Sequence, residues 1–154
     1  MNSFLTIENH TRQETLGFSM EKTVKLMRQT FNRILLSHKE VGITVDQWIL
    51  INIIHKYEAL SQQEIGELTF KDAPTITRMI DLLVQKELIQ RNEDENDRRK
   101  FSISLTKNGI NTFKLVEPIV QEIRSAAYVD ISDDELDIID ITMKKIFNNL
   151  TQYN

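Results

Sequence analysis

The spacing of apolar side chains along the chain predicts a mainly helical fold with one short change of period. Residues 11–38 carry apolar side chains three or four positions apart, which is typical of one face of a long helix. Further stretches with helical spacing begin near residues 45, 61, 73, 107 and 133. Between residues 100 and 105 the period becomes two, which is typical of a strand with one buried face. The predicted order is helix, helix, short helix, helix, β-hairpin, helix, helix.

Local signals mark where most of these helices begin. In a capping box a Ser or Thr side chain and a Glu or Gln three residues later bond each other's backbone N–H groups. Asp72 can cap the next helix, and Pro74 is tolerated in a first turn because its missing N–H would have no partner there. Thr106 is placed to cap the helix after the hairpin. The capping-box pairs are Thr44 with Gln47, Ser61 with Glu64, and Ser132 with Glu135.

The hairpin and the short helix carry specific burial expectations. Phe101, Ile103 and Leu105 alternate with polar residues and are expected to face the core, with residues 89–92 as the partner strand. In the short helix Ile65 and Leu68 are the expected buried pair. A short helix, a turn, a longer helix and a hairpin make a winged helix-turn-helix. The fold class is therefore mainly α with a small β-hairpin wing, plus flanking helices suited to dimerisation.

The composition excludes several classes of function and does not by itself indicate one. The 154 residues include no Cys, which excludes disulfides, Cys-ligated zinc and a Cys nucleophile or redox sensor. We find no phosphate-binding Gly loop and no catalytic or metal-ligand constellation, so neither an enzyme nor a metal or other cofactor is predicted. Neither a signal peptide nor a membrane span is visible, which makes a cytoplasmic protein without membrane partners the expectation.

The net charge and its local distribution point in opposite directions. A formal charge of −4 argues against nucleic acid as a partner, because such binders usually carry excess basic charge. Four basic side chains nevertheless cluster within ten residues, directly after the acidic run at residues 93–95. They are Arg98, Arg99, Lys100 and Lys107.

The sequence of the hairpin region is similar to that of a known protein family. Asp97-x-Arg99, followed by an alternating strand and Leu105-Thr106-x-x-Gly109, resembles the wing and next helix of the MarR family of bacterial transcriptional regulators. Residues 74–91 are similar to that family's recognition helix and its exit into the wing, and the stretch "TVDQWILINII" is similar to the helix that precedes the helix-turn-helix. The similarity covers nearly the whole chain. Two residues depart from it: Glu87 stands where Gly is common, and Leu82 where a basic side chain is frequent.

The resemblance implies a homodimeric DNA-binding regulator. It implies a single MarR-like domain over 1–154, with residues 41–106 as the winged helix-turn-helix and residues 1–40 and 107–154 as the helical dimerisation part. The expected activity is repression from a pseudo-palindromic operator, relieved by a small aromatic or amphipathic effector. A winged-helix dimer that binds protein without sequence-specific DNA binding remains the alternative. Apolar side chains left over for a dimer include Leu5, Leu16, Phe18, Leu115, Ile138, Ile141 and Phe147.

Candidate DNA contacts lie on three segments. Thr75, Thr77 and Arg78 begin the recognition helix, where base edges are met, although an ordinary polar face would look the same. Gln62 and Lys71 suit contacts to the DNA backbone. In the wing the resemblance implies that Arg99 enters the minor groove while Asp97 braces it, against the alternative of a surface salt bridge. The side chains on the opposite face of that strand suit phosphate contacts: Arg98 and Lys100.

The effector site is expected on two aromatic side chains. Phe31 and Trp48 come from helices that, by the resemblance, wall a small-molecule pocket between the two parts of the protein. Buried core aromatics are the alternative interpretation for both residues.

Overall fold

Six helices and a small sheet form the described part of the chain. The computed structural model describes the backbone of residues 3–93 and 101–153, and the side chains of that part from residue 12 onward. The elements are α1 (Ser3–Ser37), α2 (Val45–Tyr57), β1 (Leu60–Ser61), α3 (Gln62–Thr69), α4 (Ala73–Gln85), β2 (Ile89–Glu93), β3 (Phe101–Leu105), α5 (Lys107–Ala127) and α6 (Asp133–Thr151). The predicted order is confirmed, with α1 beginning at Ser3 instead of residue 11.

The predicted helix starts are also confirmed. Thr44, Ser61 and Ser132 each form a complete capping box with the Gln or Glu three residues later. Asp72 caps α4, and Pro74 lies in the first turn of that helix. The Thr106 hydroxyl accepts a hydrogen bond from the Gly109 N–H at 3.0 Å at the start of α5. These contacts are local, so the sequence alone was enough to find them.

The sheet has one strand more than the predicted hairpin. It is antiparallel in the order β1-β3-β2, with Leu60 opposite Ile103 and Arg91 on the other side of Ile103. Ile103 is therefore the central residue of the sheet and is buried. The expectation that Phe101 would also be buried was wrong, because it pairs with Glu93 at the end of the two strands farthest from the core and is 45% exposed.

A continuous apolar core joins α1, α2, α3, α4, the sheet and the first part of α5. It includes fully buried side chains from each of these elements: Leu35, Leu50, Ile51, Ile54, Ile65, Ile76, Ile80, Leu83, Ile103 and Val116. Three of these, Ile76, Ile80 and Leu83, form one stripe of α4 and fix which face of that helix points outward. Leu68 was wrongly expected to share the burial of Ile65, since it is 48% exposed on α3.

The chain divides into two compact units, residues 1–120 and 121–154. The second unit contains the end of α5 and the whole of α6. Among the described residues of α6 none is buried. Apolar side chains that are more than half exposed recur along this helix: Ile138, Ile139, Ile141 and Leu150.

Candidate nucleic-acid interface

The N-terminal half of α4 presents three polar side chains to solvent. Thr75, Thr77 and Arg78 are exposed, while Ile76 between them is fully buried. The Asp72 carboxylate accepts a hydrogen bond from the Thr75 N–H at 2.7 Å and so fixes the first turn. Hydrogen bonds from the Thr75 side chain and backbone lower the pKa of Asp72, which keeps the cap ionised. The start of the helix is therefore held rigidly with its polar face outward.

Gln62 and Thr77 contact each other across the helix-turn-helix. The Gln62 Nε2 atom donates a hydrogen bond to the Thr77 hydroxyl, which itself donates to the Ala73 carbonyl at 2.9 Å. Two of the predicted site residues, from α3 and α4, are thus brought together. The contact spans fifteen positions of sequence, and no local pattern could have indicated it.

Lys71 is held by an ion-pair cluster behind the turn. The Asp46 carboxylate lies 2.6 Å from the Arg28 guanidinium and 3.2 Å from the Lys71 ammonium. Burial by itself raises the pKa of Asp46, but hydrogen bonds from Arg28 and Lys71 outweigh that effect, and the pKa lies below its ordinary value. A backbone contact from Lys71 to DNA stays a prediction. It would require the ammonium to exchange Asp46 for a phosphate.

Two further contacts fix the C-terminal half of α4. The Arg91 guanidinium on β2 lies 2.5 Å from the Asp81 carboxylate. The Lys86 ammonium donates to the Gly42 carbonyl at 2.6 Å and to the Gln47 side chain at 3.1 Å. Neither contact could be predicted from the sequence, because the partners come from separate elements. Arg78 differs from these cations, since no ion pair of its guanidinium occurs in the described part of the chain.

The Leu-Thr-x-x-Gly pattern that follows the hairpin packs against the C-terminal end of α4. Glu87 has a left-handed backbone with φ of 56°, and the Leu88 N–H donates to the Leu83 carbonyl at 3.0 Å. This is the Schellman end that usually uses Gly, so Glu87 accepts strain and does not end the helix differently. The Thr106 hydroxyl donates to the Glu87 carbonyl at 2.6 Å. A Cβ atom on Gly109 would lie 1.9 Å from the Leu88 carbonyl oxygen, which leaves no room for a side chain.

The predicted contacts Asp97, Arg98, Arg99 and Lys100 lie outside the described residues. The base of the wing is described, and there Asn92 donates to the Ser104 hydroxyl at 2.8 Å across the two strands. The roles predicted for Asp97, Arg98, Arg99 and Lys100 stay predictions.

The two aromatic residues of the predicted effector site lie in or against the core. Trp48 is only 4% exposed, and its ring stacks on Phe113 with 5.3 Å between centroids. His55 stacks on Phe113 as well, at 3.8 Å. Phe31 is half-buried against the same core. These positions match the alternative interpretation as core aromatics, and an effector contact at Phe31 and Trp48 stays a prediction.

A cavity of about 460 Å³ lies elsewhere, between the start of α3 and the sheet. Its lining includes Gln62, Arg91 and Phe101 but neither Phe31 nor Trp48. Within the described residues no three His, Asp or Glu side chains are placed to hold a metal ion. No helix in the same part of the chain is both long and apolar enough to cross a membrane.

The arrangement can present one helix to a groove of double-stranded DNA. A helix with a buried apolar stripe, a rigid start and an exposed Thr-Thr-Arg face matches the recognition helix of a helix-turn-helix. The hairpin that follows is tied to this helix by Asp81 and Arg91. Together, α3, α4 and the three-stranded sheet define a winged helix-turn-helix protein.

Comparisons with known proteins agree with this class. The family model described as "MarR family" matches residues 43–101. The "HTH-type transcriptional regulator SarZ" of Staphylococcus haemolyticus is 28% identical over 117 residues, which cover 75% of this chain and 77% of that protein.

Solved structures of this class share the fold. AbsC, a MarR family transcriptional regulator from Streptomyces coelicolor, superposes with a TM-score of 0.81 at 18% identity, covering 90% of this chain and 94% of AbsC. The S. aureus MepR–DNA complex has a TM-score of 0.77 at 21% identity, covering 86% of this chain and 96% of MepR. By its fold the chain is a winged-helix protein, and its residues 43–101 match the MarR family of transcriptional regulators. The proteins that the chain is similar to are transcriptional regulators and not enzymes, in agreement with the expectation that it is not an enzyme.

Proposed function

We propose that the chain is a transcriptional repressor that binds a pseudo-palindromic operator as a homodimer and releases it when a small molecule binds. DNA binding is supported above all by the face of α4 that exposes Thr75, Thr77 and Arg78. Hydrogen bonds hold both ends of this helix in place. Arg78 can donate two hydrogen bonds to a guanine edge in the major groove. DNA binding of this kind is consistent with the MepR fold having been solved on DNA.

Exposed apolar surface supports the homodimer. Side chains such as Leu16, Phe18, Ile138 and Ile141 are at least half exposed in the single chain. Extensive exposed apolar surface usually marks an association site. We assign residues 1–40 and 107–154 to dimerisation and residues 41–106 to DNA binding. Two copies of α4 related by a twofold axis would then enter successive major grooves about 34 Å apart.

Relief of repression by an effector rests on the family resemblance. A small aromatic or amphipathic molecule that changed the spacing of the two α4 helices would lower operator affinity. Because the proposed partner is an operator, we expect the protein to act in the cytoplasm. Trp48 fluorescence offers a direct probe, because a molecule entering beside Phe31 and Trp48 would change the environment of the chain's one Trp.

A fluorescence-anisotropy titration of the full-length chain against DNA from its own promoter region, at several salt concentrations, tests the proposal. Arg78→Ala should weaken binding about tenfold, since a good bidentate base contact is worth roughly 1–3 kcal/mol. Lys144→Ala is the charge-matched control, because Lys144 is exposed on α6 and pairs with Asp140 of the same helix. Equal affinity for promoter DNA and random DNA at low salt would overturn the proposal.

The protein-interaction module remains the second candidate. The formal charge of −4 and the 40% exposed Leu82 on the outward face of α4 favour it. The described cations Lys71, Lys86 and Arg91 are also engaged within the protein. A dimer that shows no DNA binding in the titration above would support this second function.

A further inference from the structure

We propose that Thr77 selects thymine in the operator through its Cγ2 methyl group, and that Gln62 is a positioning residue that holds the Thr77 hydroxyl away from the bases. The inference deepens the proposed function and rests on it. The hydrogen bonds of the Thr77 side chain decide which part of it remains for DNA.

The hydroxyl of Thr77 is already largely used. A hydroxyl has one donor hydrogen and two acceptor lone pairs. The donor goes to the Ala73 carbonyl at 2.9 Å, and one lone pair accepts from Gln62 Nε2. The acceptors that bases show in the major groove are purine N7, guanine O6 and thymine O4, and each of them needs a donor. Thr77 has none to give in this arrangement.

Besides one remaining acceptor lone pair, Thr77 can offer the bases its methyl group. The residue is exposed in the N-terminal half of α4, next to Arg78, where a recognition helix meets base edges. Thymine is the base that shows a methyl group in the major groove, and apolar contact with that group is an established way to select it. The two neighbours then have complementary roles, with Arg78 supplying donors and Thr77 supplying apolar surface.

Gln62 holds the Thr77 side chain in the conformation that leaves its methyl group for the bases. A Thr hydroxyl bonded to the carbonyl four residues earlier leaves the side chain in one staggered conformation. The Gln62 amide comes from another helix, so it fixes that conformation from outside α4. A side chain fixed before binding loses less conformational freedom in the complex, which favours discrimination at this position.

The test replaces single thymines by deoxyuridine, which pairs identically but lacks the methyl group. The full-length chain first selects duplexes from a random-sequence pool, and each thymine of the selected duplex is then replaced in turn. We expect the wild type to bind about fourfold more weakly at one thymine per half-site, since a buried methylene-sized group is worth about 0.8 kcal/mol.

Two substitutions at position 77 separate the methyl from the hydroxyl. Thr77→Val keeps a methyl and loses the hydroxyl, so the fourfold effect should persist. Thr77→Ser keeps the hydroxyl and loses the methyl, so thymine and deoxyuridine duplexes should bind equally. If Thr77→Ser retains the fourfold effect, or if no thymine shows one in the wild type, the inference is overturned while DNA binding stands.

A second pair of variants tests Gln62. Gln62→Ala should reduce the thymine-over-deoxyuridine ratio, because the Thr77 hydroxyl is then held only by its bond to the Ala73 carbonyl and turns toward the bases more often. Gln63→Ala is the matched control, since Gln63 is exposed and bonds Glu67 of its own helix at 2.9 Å. An unchanged ratio in Gln62→Ala would overturn the positioning role. A pool that yields no preferred sequence would overturn the proposed function itself, and this inference with it.

Discussion

Glu87 occupies a backbone conformation that glycine adopts without steric strain. Its φ of 56° places the backbone in the left-handed region, where a residue with a Cβ atom costs roughly 1–2 kcal/mol. Glu87→Gly should therefore raise the free energy of unfolding in urea by about 1 kcal/mol, after allowing for the greater freedom of Gly in the unfolded chain. Glu87→Ala is the control, because it removes the carboxylate but keeps the strained Cβ. Equal stabilisation by Ala and Gly would show that charge, and not strain, is the cause.

Gly109 has the opposite requirement, since it lies where a side chain cannot fit. A Cβ atom there would lie 1.9 Å from the Leu88 carbonyl oxygen, which is backbone and also accepts a hydrogen bond from the Thr106 N–H. Gly109→Ala should lower the free energy of unfolding by about 3 kcal/mol, at the upper end of overpacking costs.

Gly17 supplies the control for that substitution. It is also helical, but nothing in the described part of the chain lies within 4 Å of a Cβ built on it. Gly17→Ala should therefore raise the free energy of unfolding, by up to about 1 kcal/mol, through helix propensity. A Gly109→Ala protein as stable as the wild type in the same urea titration would contradict the assigned packing.

Residues whose partners lie within four positions could be predicted from the sequence. The three capping boxes and the Asp72 cap are of this kind, and all four are present. Phe101 and Leu68 could not be predicted, because alternation and helical spacing do not show where a strand or a helix leaves the core. The Gln62–Thr77 contact depends on how two helices cross, which spacing within either helix does not specify.

At the scale of elements, Asp46 connects three segments that the sequence keeps apart. Its carboxylate joins the first turn of α2 to Arg28 on α1 and to Lys71 in the turn before α4. Asp46→Asn should lower the free energy of unfolding by about 0.5–1 kcal/mol, a modest value because the partly exposed pairs are screened by solvent.

The pH dependence of the free energy of unfolding tests whether the Asp46 carboxylate causes this stabilisation. The pKa of Asp46 is lower in the folded protein than its ordinary value of 3.8, so its ionised form stabilises the fold. That contribution is complete above the unfolded-state pKa and is lost as the pH falls through the lower folded-state pKa. The stability difference between wild type and Asp46→Asn, measured by urea unfolding, should thus be constant near neutral pH and shrink below about pH 3.8. A difference that stays constant to pH 3 would exclude this role.

The strand β1 shows why the sheet was only partly predictable. Leu60 and Ser61 are too few to carry an alternating pattern, and they pair with Ile103 and Ser102 about forty positions later. The hairpin of β2 and β3 was predictable, because its two strands are neighbours in sequence and β3 alternates clearly. Elements defined by their own periodicity were therefore found, and an element defined only by its partner was not.

At the scale of the whole molecule, charge and apolar surface are separated along the chain. The outward face of α4 carries an unpaired Arg78 within the described part, while α6 carries exposed Ile138 and Ile141 beside acidic residues. An acidic protein can thus bind a polyanion, provided that its acidic helices lie away from the DNA. A homodimer through the chain ends would bury the apolar side chains of α6 and bring two copies of α4 into one molecule.

A single charge on α6 tests the dimer and its connection to DNA binding together. Ile138→Asp places a carboxylate on the exposed apolar side and should shift the molar mass measured by light scattering from about twice the 18.1 kDa chain toward one chain. Lys144→Gln is the control, because it changes the net charge by the same one unit on the polar side of the helix. Operator affinity should fall at least tenfold for Ile138→Asp alone, since one half-site is lost. A monomeric Ile138→Asp protein with undiminished operator affinity would show that DNA recognition does not require two copies of α4.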